Sequence, residues 1–94
     1  MKINLQAKNM EITPAIRDYV IKRVTNLEKL LTTMEAGKGE AVVSFDISKN
    51  TNHHKAGNVF HADCLITIQG KEFYGGTDQE DLYVAIDTVK ENLF

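Results

Sequence analysis

Residues 58–68, Asn-Val-Phe-His-Ala-Asp-Cys-Leu-Ile-Thr-Ile, alternate without a break. Phe60, Ala62, Cys64, Ile66 and Ile68 share one face; Val59, His61, Asp63, Leu65 and Thr67 share the other. An extended chain sends successive side chains to opposite sides. The segment therefore predicts a strand with one apolar face on a core and a mixed face turned outward. Such a strand is not stable alone. It needs neighbours along its edges and a cover over its apolar face.

The neighbours are legible in the same terms. Ala41–Ser48 alternates through Ala41, Val43, Phe45 and Ile47, and Lys2–Ala7 through Ile3, Leu5 and Ala7. Gln69-Gly70 predicts a tight turn into a short fourth strand around Glu72 to Gly75. Residues 49–57, Lys-Asn-Thr-Asn-His-His-Lys-Ala-Gly, are polar and read as a long exposed hairpin tip. Two helices supply the cover. The first starts at Thr13-Pro14, where the hydroxyl can accept from a first-turn amide and the proline gives up no needed N–H. It runs to about Leu31, with Ile16, Tyr19, Val20, Val24, Leu27, Leu30 and Leu31 on one stripe. The second is expected from a capping box of Thr77 and Glu80, with Leu82, Ile86, Val89 and Leu93 inward. Gly75-Gly76 then falls just before that helix, its free amides already faced by Asp78, Glu80 and Asp81.

The order is β-α-β-β-β-α. The first two strands are joined through a helix and so pair parallel by a right-handed crossover; the others pair antiparallel. The fold class is an α/β two-layer sandwich, a four-stranded mixed sheet with two helices on one face. The 94 residues are read as one domain, 1–94. No apolar run approaches the roughly 20 residues that span a bilayer, and Met1-Lys2-Ile3-Asn4-Leu5 has no signal-peptide core, so no membrane and a cytoplasmic location are expected. The lone Cys64 cannot form an internal disulfide.

Charge narrows the function. The net charge is −2, which argues against general nucleic-acid affinity. Residues 1–34, however, carry six Lys/Arg against three acids, and residues 35–94 five against ten. A local RNA-binding surface would have to draw on the first third.

Two segments carry a resemblance. Met10-Glu11-Ile12-Thr13-Pro14-Ala15-Ile16-Arg17-Asp18-Tyr19-Val20 with Leu27-Glu28-Lys29-Leu30 resembles the opening of the ribosome hibernation promoting factors, also called ribosome-associated inhibitors. Gln79-Glu80-Asp81-Leu82-Tyr83-Val84-Ala85-Ile86-Asp87 resembles their second signature, at the last helix. The two stand in the right order, and the likeness extends over essentially the whole chain. It implies the same β-α-β-β-β-α domain. It also implies a stasis factor that occupies the mRNA and tRNA channel of the small ribosomal subunit in stressed or stationary cells. Contact would be made with rRNA, mainly through Lys and Arg on the helices. The family's last helix usually continues into a basic stretch. Here it reaches Leu93-Phe94 with Lys90 set against Asp78, Glu80, Asp81, Asp87 and Glu91. Weaker binding is therefore expected than for a chain extended by such a stretch. The second, dimer-forming domain of the long members has no counterpart in these 94 residues, so ribosome pairing by this chain alone is not implied.

The candidate rRNA contacts are Lys22 and Lys29, seven residues apart and opposite the apolar stripe, then Arg17 and Arg23 at its edges. Lys55 in the polar loop and Lys90 in the last helix complete the set. Tyr83 is expected to pack over the sheet rather than stack on a base, and Asp87, which repels phosphate, to be structural. His53, His54 and His61 lack metal-ligand spacing, and no cofactor is expected. Cys64 cannot form a dyad with His61 because alternation turns them to opposite faces. No nucleophile, base and orienter converge, so no enzyme is expected. The alternative function is a protein-interaction module. It would dock a ribosomal protein, or self-associate, through Val59, His61, Leu65 and Thr67 on the open sheet face.

Overall fold

The computed structural model describes residues 2–34, 41–51, 58–68 and 70–93, and of residues 28–34, 51 and 58 the backbone alone. Six elements follow in order: β1 (Lys2–Lys8), α1 (Pro14–Met34), β2 (Val42–Thr51), β3 (Asn58–Ile68), β4 (Lys71–Gln79) and α2 (Leu82–Asn92). The sheet order is β1-β2-β3-β4, with β1 parallel to β2 and the other two pairs antiparallel. This is the four-stranded mixed sheet that the patterns imply. The polar tip expected at 49–57 is shorter at its base, because β2 continues to Thr51. Residues 52–57 lie outside the described set.

Register brings the apolar positions into rows. Leu5 pairs with Phe45, Phe45 with Cys64, and Cys64 with Gly75. On this face Val43, Ala62, Cys64 and Ile66 expose no surface at all. Val20 and Val24 of α1, and Ala85, Ile86 and Val89 of α2, are equally sealed above them. Burying each large aliphatic side chain contributes about 1.5–3 kcal/mol, so these rows supply the main stabilising term.

Local chemistry sets the helix starts. The Thr13 hydroxyl accepts from the Ile16 amide at 3.2 Å, and Pro14 takes the first helical position, as its sequence predicts. The start of α2 differs from expectation. Thr77 does not cap it; Thr77, Asp78 and Gln79 belong to β4. The cap is Asp81, in extended backbone, whose carboxylate accepts from Tyr83 N at 2.8 Å and Val84 N at 3.3 Å. The reason is the length of β3. Its regular edge offers ladder partners as far as Phe60, so Thr77, Asp78 and Gln79 pair with Ala62, His61 and Phe60 instead of entering the helix. Local capping preference yields to strand pairing.

The fourth strand is correspondingly nine residues long rather than a short piece ending at Gly75. Gly75-Gly76 therefore sits inside β4 and not at a helix N-terminus. Gly75 has a packing role there. A Cβ on it would lie 3.0 Å from the Val89 carbonyl oxygen and 3.1 Å from the Asn92 carbonyl carbon. The missing side chain lets α2 lie directly on the sheet. Asn92 Nδ2 adds a hydrogen bond to the Gly76 carbonyl at 3.3 Å.

Replacing Asp81 by Ala is expected to lower stability by about 0.5–2 kcal/mol, the usual loss for a helix cap. Thr77→Ala is expected to lower it by less. Urea unfolding of the two variants checks this, and the opposite ranking would contradict the assigned cap.

Candidate RNA interface

Two cations of α1, Arg17 and Lys22, stand on the side turned from the sheet. Arg17 and Lys22 are exposed, while Ile16, Val20, Val24 and Leu27 are buried on the other side. Among the described residues neither cation has a carboxylate partner. Lys29 follows Lys22 by seven residues in the sequence of α1. Its backbone lies in α1 and its side chain is outside the described set. Lys55 also lies outside it. Lys90 sits half-buried in the last turn of α2, where a cation suits the negative helix end.

Arg23 is engaged differently. Its Nε donates to Asp87 Oδ1 at 2.8 Å and its Nη2 to the Tyr19 hydroxyl at 3.0 Å. Tyr19 in turn donates to Asp87 Oδ2 at 2.8 Å. The guanidinium carbon lies 4.6 Å from the Tyr19 ring centre. The Tyr83 ring meets that of Tyr19 edge-on, centroids 4.7 Å apart at 77°. The hydrogen bond that Arg23 donates to Tyr19, and then the charge of Asp87, hold the guanidinium protonated still more firmly than usual. Four side chains from two helices thus form one closed knot. Tyr83 packs against Tyr19 of the other helix, not over the sheet as its position alone suggests. Asp87 has the structural part expected of it.

A sequence signal for this knot exists. Tyr19 and Arg23, like Tyr83 and Asp87, are four residues apart and so share a helix face. Each helix therefore presents a tyrosine and a charge, and the two charges are opposite. Reading the helices separately, as stripes, hides that match.

The outward sheet face is a different surface. His61 lies between two carboxylates, with Nδ1 2.7 Å from Asp78 and Nε2 3.0 Å from Asp63. Its imidazole is raised above its ordinary pKa, first by the hydrogen bond to Asp78, with Asp63 adding and partial desolvation opposing. Cys64 points the other way. Burial pushes its thiol up to about 12, so it carries no thiolate to react. Among the described residues no group of three His, Cys, Asp or Glu is spaced to hold a metal. Nor is any described helix long and apolar enough to cross a membrane.

A β-α-β-β-β-α sandwich with open cations on α1 can be set beside known proteins. Residues 3–94 match the family described as Sigma 54 modulation protein / S30EA ribosomal protein, and the chain belongs to that family. It is 27% identical over 93 residues to a ribosome hibernation promoting factor of Klebsiella oxytoca, covering 99% of this chain and 85% of the relative. It is 29% identical to the ribosome-associated factor Y of Haemophilus influenzae, covering 99% of this chain and 76% of that one. The crystal structure of the Thermus thermophilus Protein Y N-terminal domain superposes with a TM-score of 0.78 at 29% identity, covering 99% of this chain and 91% of that one.

The edge-on tyrosine pair should be measurable as a coupling. A double-mutant cycle of Tyr19→Leu and Tyr83→Leu is expected to give about 0.5–1.5 kcal/mol of interaction free energy in thermal or urea unfolding. Simple additivity of the two single effects would contradict the contact.

Proposed function

We propose that this chain is a ribosome-stasis factor of the bacterial hibernation type, which works by occupancy and not by catalysis. It binds the small ribosomal subunit in the channel used by mRNA and tRNA, with the helix layer against rRNA, and so blocks translation in stressed or stationary cells. Membership of the family, whose relatives carry hibernation names, supports the ribosomal setting. The observation that carries the RNA-facing side is the pair of exposed, unneutralised cations on α1, Arg17 and Lys22. A phosphate backbone needs cations on a rigid surface, and each contact releases counterions.

Lys22 and Lys29 are the principal contacts on this reading, with Arg17 beside them. Arg23 contributes from the edge. Its charge is partly answered by Asp87, but its Tyr19 platform keeps the guanidinium plane fixed, as RNA recognition by Arg favours. Lys55 and Lys90 extend the surface. The site of action is the cytoplasm, where ribosomes are. A handful of phosphate contacts at physiological salt supports modest affinity, so a basic stretch after α2 would strengthen binding.

Lys22→Glu combined with Lys29→Glu is expected to lower co-sedimentation with purified small subunits while leaving the circular dichroism spectrum unchanged. Across a salt series, the slope of log affinity against log salt should flatten by roughly 0.7–0.9 for each phosphate no longer neutralised. An unchanged affinity and slope would overturn the assignment.

A further inference from the structure

The outward sheet face differs from α1 in the sign of its charge. On β2, β3 and β4 the positions turned away from the helices include Asp46, Asp63, Glu72 and Asp78. Strand alternation puts Lys49 and Lys71 on the opposite side, so the described residues of these three strands bring no Lys or Arg to this face. Register puts Lys2 and Lys8 of the edge strand β1 on this same face, at its β1 margin, against the four carboxylates of β2, β3 and β4. Asp46 and Asp63 stand directly opposite one another across β2 and β3. Like charges so placed repel. The Asp46 carboxyl is raised above its ordinary pKa, first by desolvation and then by the charge of Asp63.

The shape of the face matches its charge. A shallow depression of about 330 Å³ lies between β1 and β3, lined by Gln6, Lys8, Asp46, Ser48, His61 and Asp63. In register beyond it Leu65 pairs with Tyr74, a residue 60% exposed. An exposed ring next to carboxylates suits a guanidinium, which can stack on the ring while donating to the acids.

We propose that this sheet face docks an arginine-rich segment of a protein partner. The proposal builds on the functional reading above. If the helix layer of a two-layer domain lies on rRNA, the sheet face points away from that RNA, and its carboxylates repel phosphate in any case. A cationic protein segment places one guanidinium in the depression, against Asp46 and the side of Asp63 not taken by His61, and stacks another on Tyr74. The domain then holds two partners of opposite charge on its two faces, and each contact gains from the other by effective concentration.

The test titrates the isotope-labelled 94-residue chain with a hexa-arginine peptide and, in parallel, with magnesium ions, following backbone amide shifts. Shifts are expected to gather at Asp46, His61, Asp63, Leu65 and Tyr74. The Asp46→Asn, Asp63→Asn double variant is expected to weaken peptide binding roughly tenfold. It should keep the parent's circular dichroism spectrum, since both positions lie on the outward face, and should bind protein-free small-subunit rRNA as the parent does. That last measurement separates this proposal from the RNA reading, which can fail independently in the α1 variants. Shifts confined to the acids of α2, undiminished peptide binding by the double variant, or the same shifts produced by magnesium ions alone would overturn it.

Discussion

Ala62, Cys64 and Ile66 in β3 expose no surface because α1 and α2 lie over them, and among the described residues nothing comparable covers the opposite side of the strand. This one-sided burial shapes everything else in the domain. Apolar rows on one face must be sealed from water, and two amphipathic helices are the means. For α2 to come close enough, β4 must carry a residue without a side chain beneath it, and Gly75 does. For α1 and α2 to lie side by side, their facing polar groups must answer each other, and Tyr19, Arg23, Tyr83 and Asp87 do. The thiol of Cys64 is held inert by the same sealing.

One-sided burial also separates two outer surfaces by the thickness of the domain. The helix layer carries Arg17 and Lys22 in the open, and the sheet face carries Asp46, Asp63, Glu72 and Asp78. A net charge near zero therefore conceals a polar molecule. Its overall acidity, which taken alone argues against binding RNA, lies largely on the strands and around α2, where Asp87 is bound to Arg23, while Arg17 and Lys22 stand open on α1. In this domain the position of charge decides what can bind, and the total does not.

The strands, both helices and their order are legible in the sequence, because alternation in 58–68 and the stripe from Ile16 to Leu27 are long and regular. The Thr13-Pro14 start is legible for a local reason, since the cap lies three residues from the amide it serves. The junction of β4 and α2 is not. There a local signal, Thr77 with Glu80, competes with pairing to β3, and the strength of that pairing depends on a partner strand 15 residues back in the chain at Ala62. Tyr83 is misplaced for a similar reason. Its neighbour Tyr19 is far away in sequence, and a single helical wheel shows only that it borders the core. Arg23 is visible as a cation but not as a bonded one, because Asp87 lies 64 residues on. The signals that fail are those whose partner belongs to another element.

Whether the helix layer, and not the sheet, faces rRNA can be decided by lysine footprinting. The chain is acetylated free and bound to purified small subunits, and modification is quantified lysine by lysine by mass spectrometry. Strong protection of Lys22, on the open side of α1, is expected, with much weaker protection of Lys2 at the edge of the sheet. Protection of Lys2 with Lys22 as reactive on the ribosome as in solution would contradict this orientation.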